Sequence, residues 1–255
     1  MNKKTPDRKT VNSPEQFADV HGSPGETPRL AGLMRVTWPF FALTFFAGYL
    51  VRAAWPFPSL SKTVIGAAFL GGAGVLAWSV TVGRSRLHSF LKGAKGEEQV
   101  ARALAFLPAS YHVYHGIGLT HTLVGRAVDY DHVVIGPTGI FLIETKNWSG
   151  RITVRDGDIL YNGVKPDRPP LEQVKQAATQ LRRALRDAVH QQIEIQPVLC
   201  FASGQVRDGC SGAGGVIICT SHTLVDVLQE NPDTPLPRGI REQVVYYLGK
   251  QFNEI

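Results

Sequence analysis

Two carboxylates and one amine stand at the ends of two apolar runs in DHVVIGPTGIFLIETKNWSG, Asp131 to Gly150. The runs His132–Ile135 and Ile140–Ile143 are rich in Val, Ile and Phe and flank Gly136-Pro137-Thr138-Gly139, which predicts a hairpin with a four-residue loop. If Ile135 pairs with Ile140, partner numbers sum to 275, setting Asp131 opposite Glu144 and Asp129 opposite Lys146. Side chains alternate faces along a strand, so Asp131, Glu144 and Lys146 then point the same way. Carboxylate oxygens in such a group suit a hard divalent cation of the Mg²⁺ type, and an adjacent ammonium can orient an attacking water. An E-x-K tripeptide alone carries little information. Here it directly follows an apolar strand and faces an Asp at the matched register.

The elements that must position this group follow along the chain. Val100, Ala101, Leu104 and Leu107 repeat at helical spacing after Gly96-Glu97-Glu98-Gln99, predicting a helix with Glu97 on its buried stripe. A carboxylate there either complements the helix dipole or turns inward toward a metal. Tyr111–Leu119 alternates as a strand, with His112 and His115 on opposite faces and so unable to share a metal. Arg151–Tyr161 predicts a small strand pair around the turn Asp156-Gly157. Pro169-Pro170 begins a helix whose inward face is Leu171, Val174, Ala178, Leu181, Leu185 and Ala188, with Gln173 and Gln180 beside it. Strands over Ile193–Phe201 and Gly215–Thr220, joined by a Gly-rich loop, and helices near Thr223–Gln229 and Pro237–Phe252 close the chain. The order predicts an α/β fold, a mixed sheet with helices on both faces.

The N-terminal third reads differently. Residues 1–35 have no apolar period and are read as a disordered cytoplasmic arm. Val36–Val51 is sixteen uncharged residues and Thr63–Gly83 twenty-one, predicting two transmembrane helices at about 36–54 and 63–83 within 36–84. Lys3, Lys4, Arg8, Lys9, Arg29 and Arg35 precede the first span, and Arg84, Arg86, Lys92 and Lys95 follow the second. This bias implies a two-span inner-membrane protein with both termini and the folded domain cytoplasmic and the lipid bilayer as a partner. Net charge is +6, from 27 basic and 21 acidic residues, which permits a polyanionic partner without demanding one. Cys200, Cys210 and Cys219 lack zinc-site spacing and are odd in number, which fits a reducing compartment.

In order along the chain, Gly93-Ala-Lys-Gly-Glu97, Asp131-His132-Val-Val-Ile-Gly-Pro, Ile143-Glu-Thr-Lys-Asn-Trp-Ser-Gly150 and Pro170-Leu-Glu-Gln173 resemble the nuclease-related domain family, NERD, over about 88–205. The resemblance implies a restriction-endonuclease-like fold with a PD-(D/E)xK core, completed here by residues 206–255, and preceded by the transmembrane hairpin. It matches Glu97, Asp131, Glu144 and Lys146 to the family's acidic and basic positions and Gln173 to its glutamine. Tyr130 stands where the superfamily pattern has Pro. The implied activity is Mg²⁺- or Mn²⁺-dependent hydrolysis of phosphodiesters in nucleic acid, DNA foremost, with Asp131, Glu144 and Glu97 as metal ligands. The alternatives are a catalytically inactive, membrane-tethered nucleic-acid-binding or scaffold module, and a nucleotide- or RNA-processing enzyme.

Overall fold

The computed structural model describes residues 17–25, 88–121, 126–230 and 235–253, a helical stretch over 41–49 and isolated positions between 34 and 74. A seven-stranded mixed sheet has the order β1-β2-β3-β4-β7-β10-β9, and a small three-stranded sheet the order β6-β5-β8. The large sheet comprises β1 (Asp19–His21), β2 (His112–His121), β3 (Arg126–Gly136), β4 (Gly139–Lys146), β7 (Gln196–Phe201), β9 (Cys210–Ala213) and β10 (Val216–Thr220). β5 (Arg151–Arg155), β6 (Asp158–Tyr161) and β8 (Gln205–Val206) make the small one. Helices are α1 over 88–104, α2 (Pro170–Val189), α3 (Leu224–Gln229) and α4 (Arg238–Asn253). The predicted mixed α/β architecture is present.

Strands with apolar residues on both faces need covering on both sides. Val133, Ile135, Ile140 and Leu142 pack toward Leu181 and Leu185 of α2 and Val244 and Leu248 of α4. On the other face Val134, Phe141 and Ile143 meet Val100 and Leu104 of α1 and Leu224 and Leu228 of α3. The inward face of α2 is as expected through Leu185, but Ala188 is exposed and Val189 packs in its place. The helix ends at once, in the left-handed His190 (φ 54°). The predicted turn at Asp156-Gly157 is present, with φ of 51° and 78° at its two central residues, the values a two-residue hairpin loop requires.

Three expectations need correction. No described helix is long and apolar enough to cross a membrane. That overturns the expected two-span inner-membrane placement. Most of 50–87, including nearly all of the second expected span, lies outside the described residues. Second, the arm read as having no fold contains β1, which pairs in parallel with β2 at the sheet edge. Third, α1 is already helical at 88, so Gly93 and Gly96 lie inside it instead of opening it.

Candidate active site

The hairpin register is the predicted one. Ile135 pairs with Ile140, Val134 with Phe141 and His132 with Ile143. There the β3–β4 ladder stops, while on its other edge β4, paired in parallel with β7 from Phe141, runs on with Glu144 opposite Leu199 and Lys146 opposite Phe201. Asp131 Oδ2 accepts the Thr145 backbone N–H at 2.8 Å, a side-chain bond that replaces the next rung. On its other side, β2 also skips a rung: His115 pairs with His132 and Ile117 with Tyr130, while Gly116 between them adopts a φ of 60°. A left-handed residue at this point suits glycine. The expected apposition of Asp129 and Lys146 does not occur. Asp129 pairs with Gly118 instead, because β3 and β4 part beyond Ile143.

Glu144 and Lys146 stand at the carboxyl end of β4, on the same face, and Lys146 Nζ donates to Glu144 Oε1 at 2.7 Å. Burial pushes the Asp131 carboxyl well above the ordinary carboxylate range, reinforced by the charges of Glu144 and Glu97 and opposed by the Thr145 N–H and Lys146. Asp131 keeps part of its surface accessible, yet its carboxyl is packed round by protein, and repulsion from two further carboxylates requires that they be near. The structure thus brings Asp131, Glu144, Glu97 and Lys146 into one electrostatic group. Gln173 lies in the first turn of α2, whose Leu171 and Val174 pack with Leu199 and Phe201, the strand partners of Glu144 and Lys146.

Glu97 is carried by α1, and two contacts set its height. Gln99 Nε2 donates to Ala202 O at 2.5 Å and to Ser221 Oγ at 3.0 Å, while Asn147 Nδ2 donates to Lys92 O at 2.5 Å. Gly96 permits this closeness, since a Cβ there would lie 2.7 Å from Asn147 Cβ. Gly96→Ala should therefore cost about 1–3 kcal/mol and push Glu97 away from Asp131. Urea unfolding checks the first effect, and an unchanged midpoint would refute the close approach. The Glu97 carboxylate also accepts the Gly25 N–H at 3.0 Å, a contact from a segment in which sequence reasoning found no structure.

A buried histidine pair lies directly behind the site. His115 Nδ1 and His132 Nδ1 are 2.7 Å apart, with rings at 89° and centroids 4.9 Å apart. One nitrogen must donate and the other accept, so the accepting ring is neutral. Burial pushes His115 down to about 4, and His132 well below its ordinary value through burial and then its neighbour. An unfolded imidazole takes a proton below about 6.5, whereas the folded one does not until about 4. The stability this gives is fully present above 6.5 and is lost as pH falls toward 4, by roughly 3 kcal/mol for His115 alone. Urea midpoints should fall accordingly, and His115 ring resonances that titrate near 6.5 would contradict the pairing. The signal in the sequence was the common register of β2 and β3, which requires knowing that these strands pair.

Among the described residues, Asp131, Glu144 and Glu97 do not form a trio with ligand atoms within 4.8 Å; Asp19, His21 and His112 do. His112 and His115 were not expected to share a metal; His112 instead meets Asp19 and His21 across the β1–β2 edge.

With this geometry in hand the chain can be placed. Residues 92–202 match the family model of NERD, the nuclease-related domain, a family of the restriction-endonuclease-like superfamily. The chain is also 45% identical over 62 residues to an uncharacterized protein of Bacillus anthracis, a match covering 24% of this chain and 29% of that protein. No solved structure matches.

Proposed function

We propose that the domain is a metal-dependent nuclease that hydrolyses phosphodiester bonds in DNA at the group formed by Asp131, Glu144, Glu97 and Lys146. The observation that carries this reading is the placing of Asp131, bonded through Oδ2 to the Thr145 N–H, beside Glu144 and its partner Lys146 at the end of β4, a group of carboxylate oxygens that a dication neutralises. The donor set fits a hard cation. Every candidate ligand atom is a carboxylate oxygen, and one oxygen each of Asp131 and Glu144 is engaged by a protein donor, so the second oxygen of each would be the one to meet an ion. Asp131 and Glu144 would hold Mg²⁺ or Mn²⁺, and Glu97 would hold a second ion or orient a water. Such an ion, when bound, polarises the phosphoryl oxygen and lowers the pKa of a bound water.

The remaining work falls to the protein. Lys146, steadied by Glu144, positions the attacking water and stabilises charge that develops on the phosphate. The Thr145 N–H fixes the Asp131 rotamer, so its outward oxygen is pre-set. Gln173 would orient the substrate backbone or a water from the start of α2. Residues 88–205 form the nuclease domain in this reading, and 206–255 complete it. A second reading keeps the fold as a nucleic-acid-binding module without turnover, favoured by the Lys146–Glu144 ion pair, which would occupy one oxygen that a metal could use. Circular and linear DNA incubated with the full chain tests the choice. Nicking or cutting with Mg²⁺ or Mn²⁺, abolished by chelation, supports the nuclease; binding without cleavage under any divalent ion supports the module.

A further inference from the structure

Away from the carboxylate group, the edge strand β1 meets β2 with Asp19 opposite His112 and His21 opposite Tyr114. Asp19 and His21, two residues apart, project from the same face of β1. His21 Nε2 lies 3.2 Å from Asp19 Oδ2, and His112 Nδ1 lies 3.5 Å from the same oxygen. One ligand atom from each of the three residues falls within 4.8 Å of the others. Ligands at ~2.0–2.1 Å from a tetrahedral Zn²⁺ are separated by about 3.4 Å, and the two edges at Asp19 Oδ2, 3.2 and 3.5 Å, lie close to that separation.

Two further observations separate this trio from an ordinary ion pair. His112 Nδ1 is buried and has no hydrogen-bond partner among the described residues, so its nitrogen faces Asp19 at contact distance without a bond that explains it. The ring of His21 is stacked on Tyr114, with centroids 4.7 Å apart and planes at 18°, and Tyr114 is itself anchored by its hydroxyl to Val245 O at 3.1 Å. The imidazole is thus held in orientation by its surroundings, as metal-binding histidines are. Asp19 is more than half exposed, which leaves the outer side open for water to complete the shell.

We propose that Asp19, His21 and His112 form a binding site for a borderline divalent transition metal of the Zn²⁺ class, distinct in place and chemistry from the carboxylate group. Two imidazoles and one carboxylate select Zn²⁺ over Mg²⁺, which prefers an all-oxygen shell. The site is a clamp. β1 is only three residues long, and a metal bridging it to His112 fastens it to the sheet. The same segment runs on to Gly25, whose N–H holds Glu97 and whose Cα hydrogens face Ala94 so closely that a Cβ would meet it at 2.9 Å. Fastening β1 therefore steadies the backbone that orients Glu97.

The test uses the full chain, stripped with chelator and titrated calorimetrically with ZnCl₂ in excess MgCl₂. One Zn²⁺ per chain is expected, with Asp19→Asn and His112→Ala each weakening binding by about 100-fold or more. Asp131→Asn and Cys210→Ser should leave the zinc affinity unchanged, since neither residue touches the trio. Hydrogen exchange at the amides of Asp19, Val20, His21 and Gly25 should slow on adding Zn²⁺ to wild type and not to Asp19→Asn. If His112→Ala fails to fold, Asp19→Asn, at the exposed edge, decides alone. No zinc binding in Mg²⁺, or wild-type affinity in Asp19→Asn, overturns the proposal.

Discussion

Lys146→Met should slow cleavage of DNA by about 10²–10⁴ while leaving its binding close to wild type. The substitution keeps the stem and removes the ammonium, whose nitrogen lies 2.7 Å from Glu144 Oε1. Loss of a group that positions or deprotonates a nucleophile typically costs ~10²–10⁴ in rate. Affinity for a polyanion is spread over several phosphate contacts, so one cation fewer is a small loss. Glu144→Gln should act similarly, by weakening the metal-binding pair. The removed charge also opposes the upward push on Asp131, so the variant's Asp131 carboxyl should lie higher still, and raising the pH should recover part of the lost rate. Equal losses of binding and cleavage would instead assign Lys146 to DNA affinity.

The largest effect on stability is expected at Phe201. Its ring is wholly buried among Leu171, Val174, Leu199, Val216 and Ile218, lies 5.4 Å from Trp148 between centroids, and sits on the strand partner of Lys146. Phe201→Ala leaves a cavity that these neighbours can close only in part, at about 3–5 kcal/mol. Denaturant unfolding measures it, and Trp148 fluorescence should report the local loosening before the global transition. Because Phe201 backs the end of β4, activity should fall as well. A loss below about 1 kcal/mol would mean that the β7 face is not the tight core it is drawn as.

What could be read from the sequence followed from local chemistry. The run VVIG-PTG-IFLI fixed its own register, because the loop length and the apolar positions on both strands agree on Ile135 opposite Ile140. The expected common face of Asp131, Glu144 and Lys146 was an extension of that register one rung past its end at His132 and Ile143. The extrapolation to Asp129 and Lys146 failed because a register holds only while two strands stay paired, and the β3–β4 ladder stops at Ile143 while β4 runs on to Lys146 beside β7 alone. β1 was illegible: DVH is three residues without a period, and its parallel pairing to β2 is decided by contacts almost a hundred residues away. β8 and β9, inside a stretch that reads as a Gly-rich loop, escaped for the same reason. The histidine pair and the trio at the sheet edge both depend on such long-range pairings, so residue types alone pointed elsewhere. The long apolar segments near the N-terminus were given a bilayer by their composition, and no described helix is long and apolar enough to cross one.

The most direct measurement is single-turnover cleavage of an end-labelled DNA duplex by the full chain and by Asp131→Asn, with binding recorded on the same samples. Asp131 is the one group that every part of the proposed site acts upon, through Thr145, Glu144, Glu97 and Lys146. The account predicts Mg²⁺- or Mn²⁺-dependent cleavage by wild type, lost by about 10² or more in Asp131→Asn at saturating DNA. A wild-type protein that binds the duplex, cleaves nothing with any divalent ion, and is matched in binding by Asp131→Asn would contradict it.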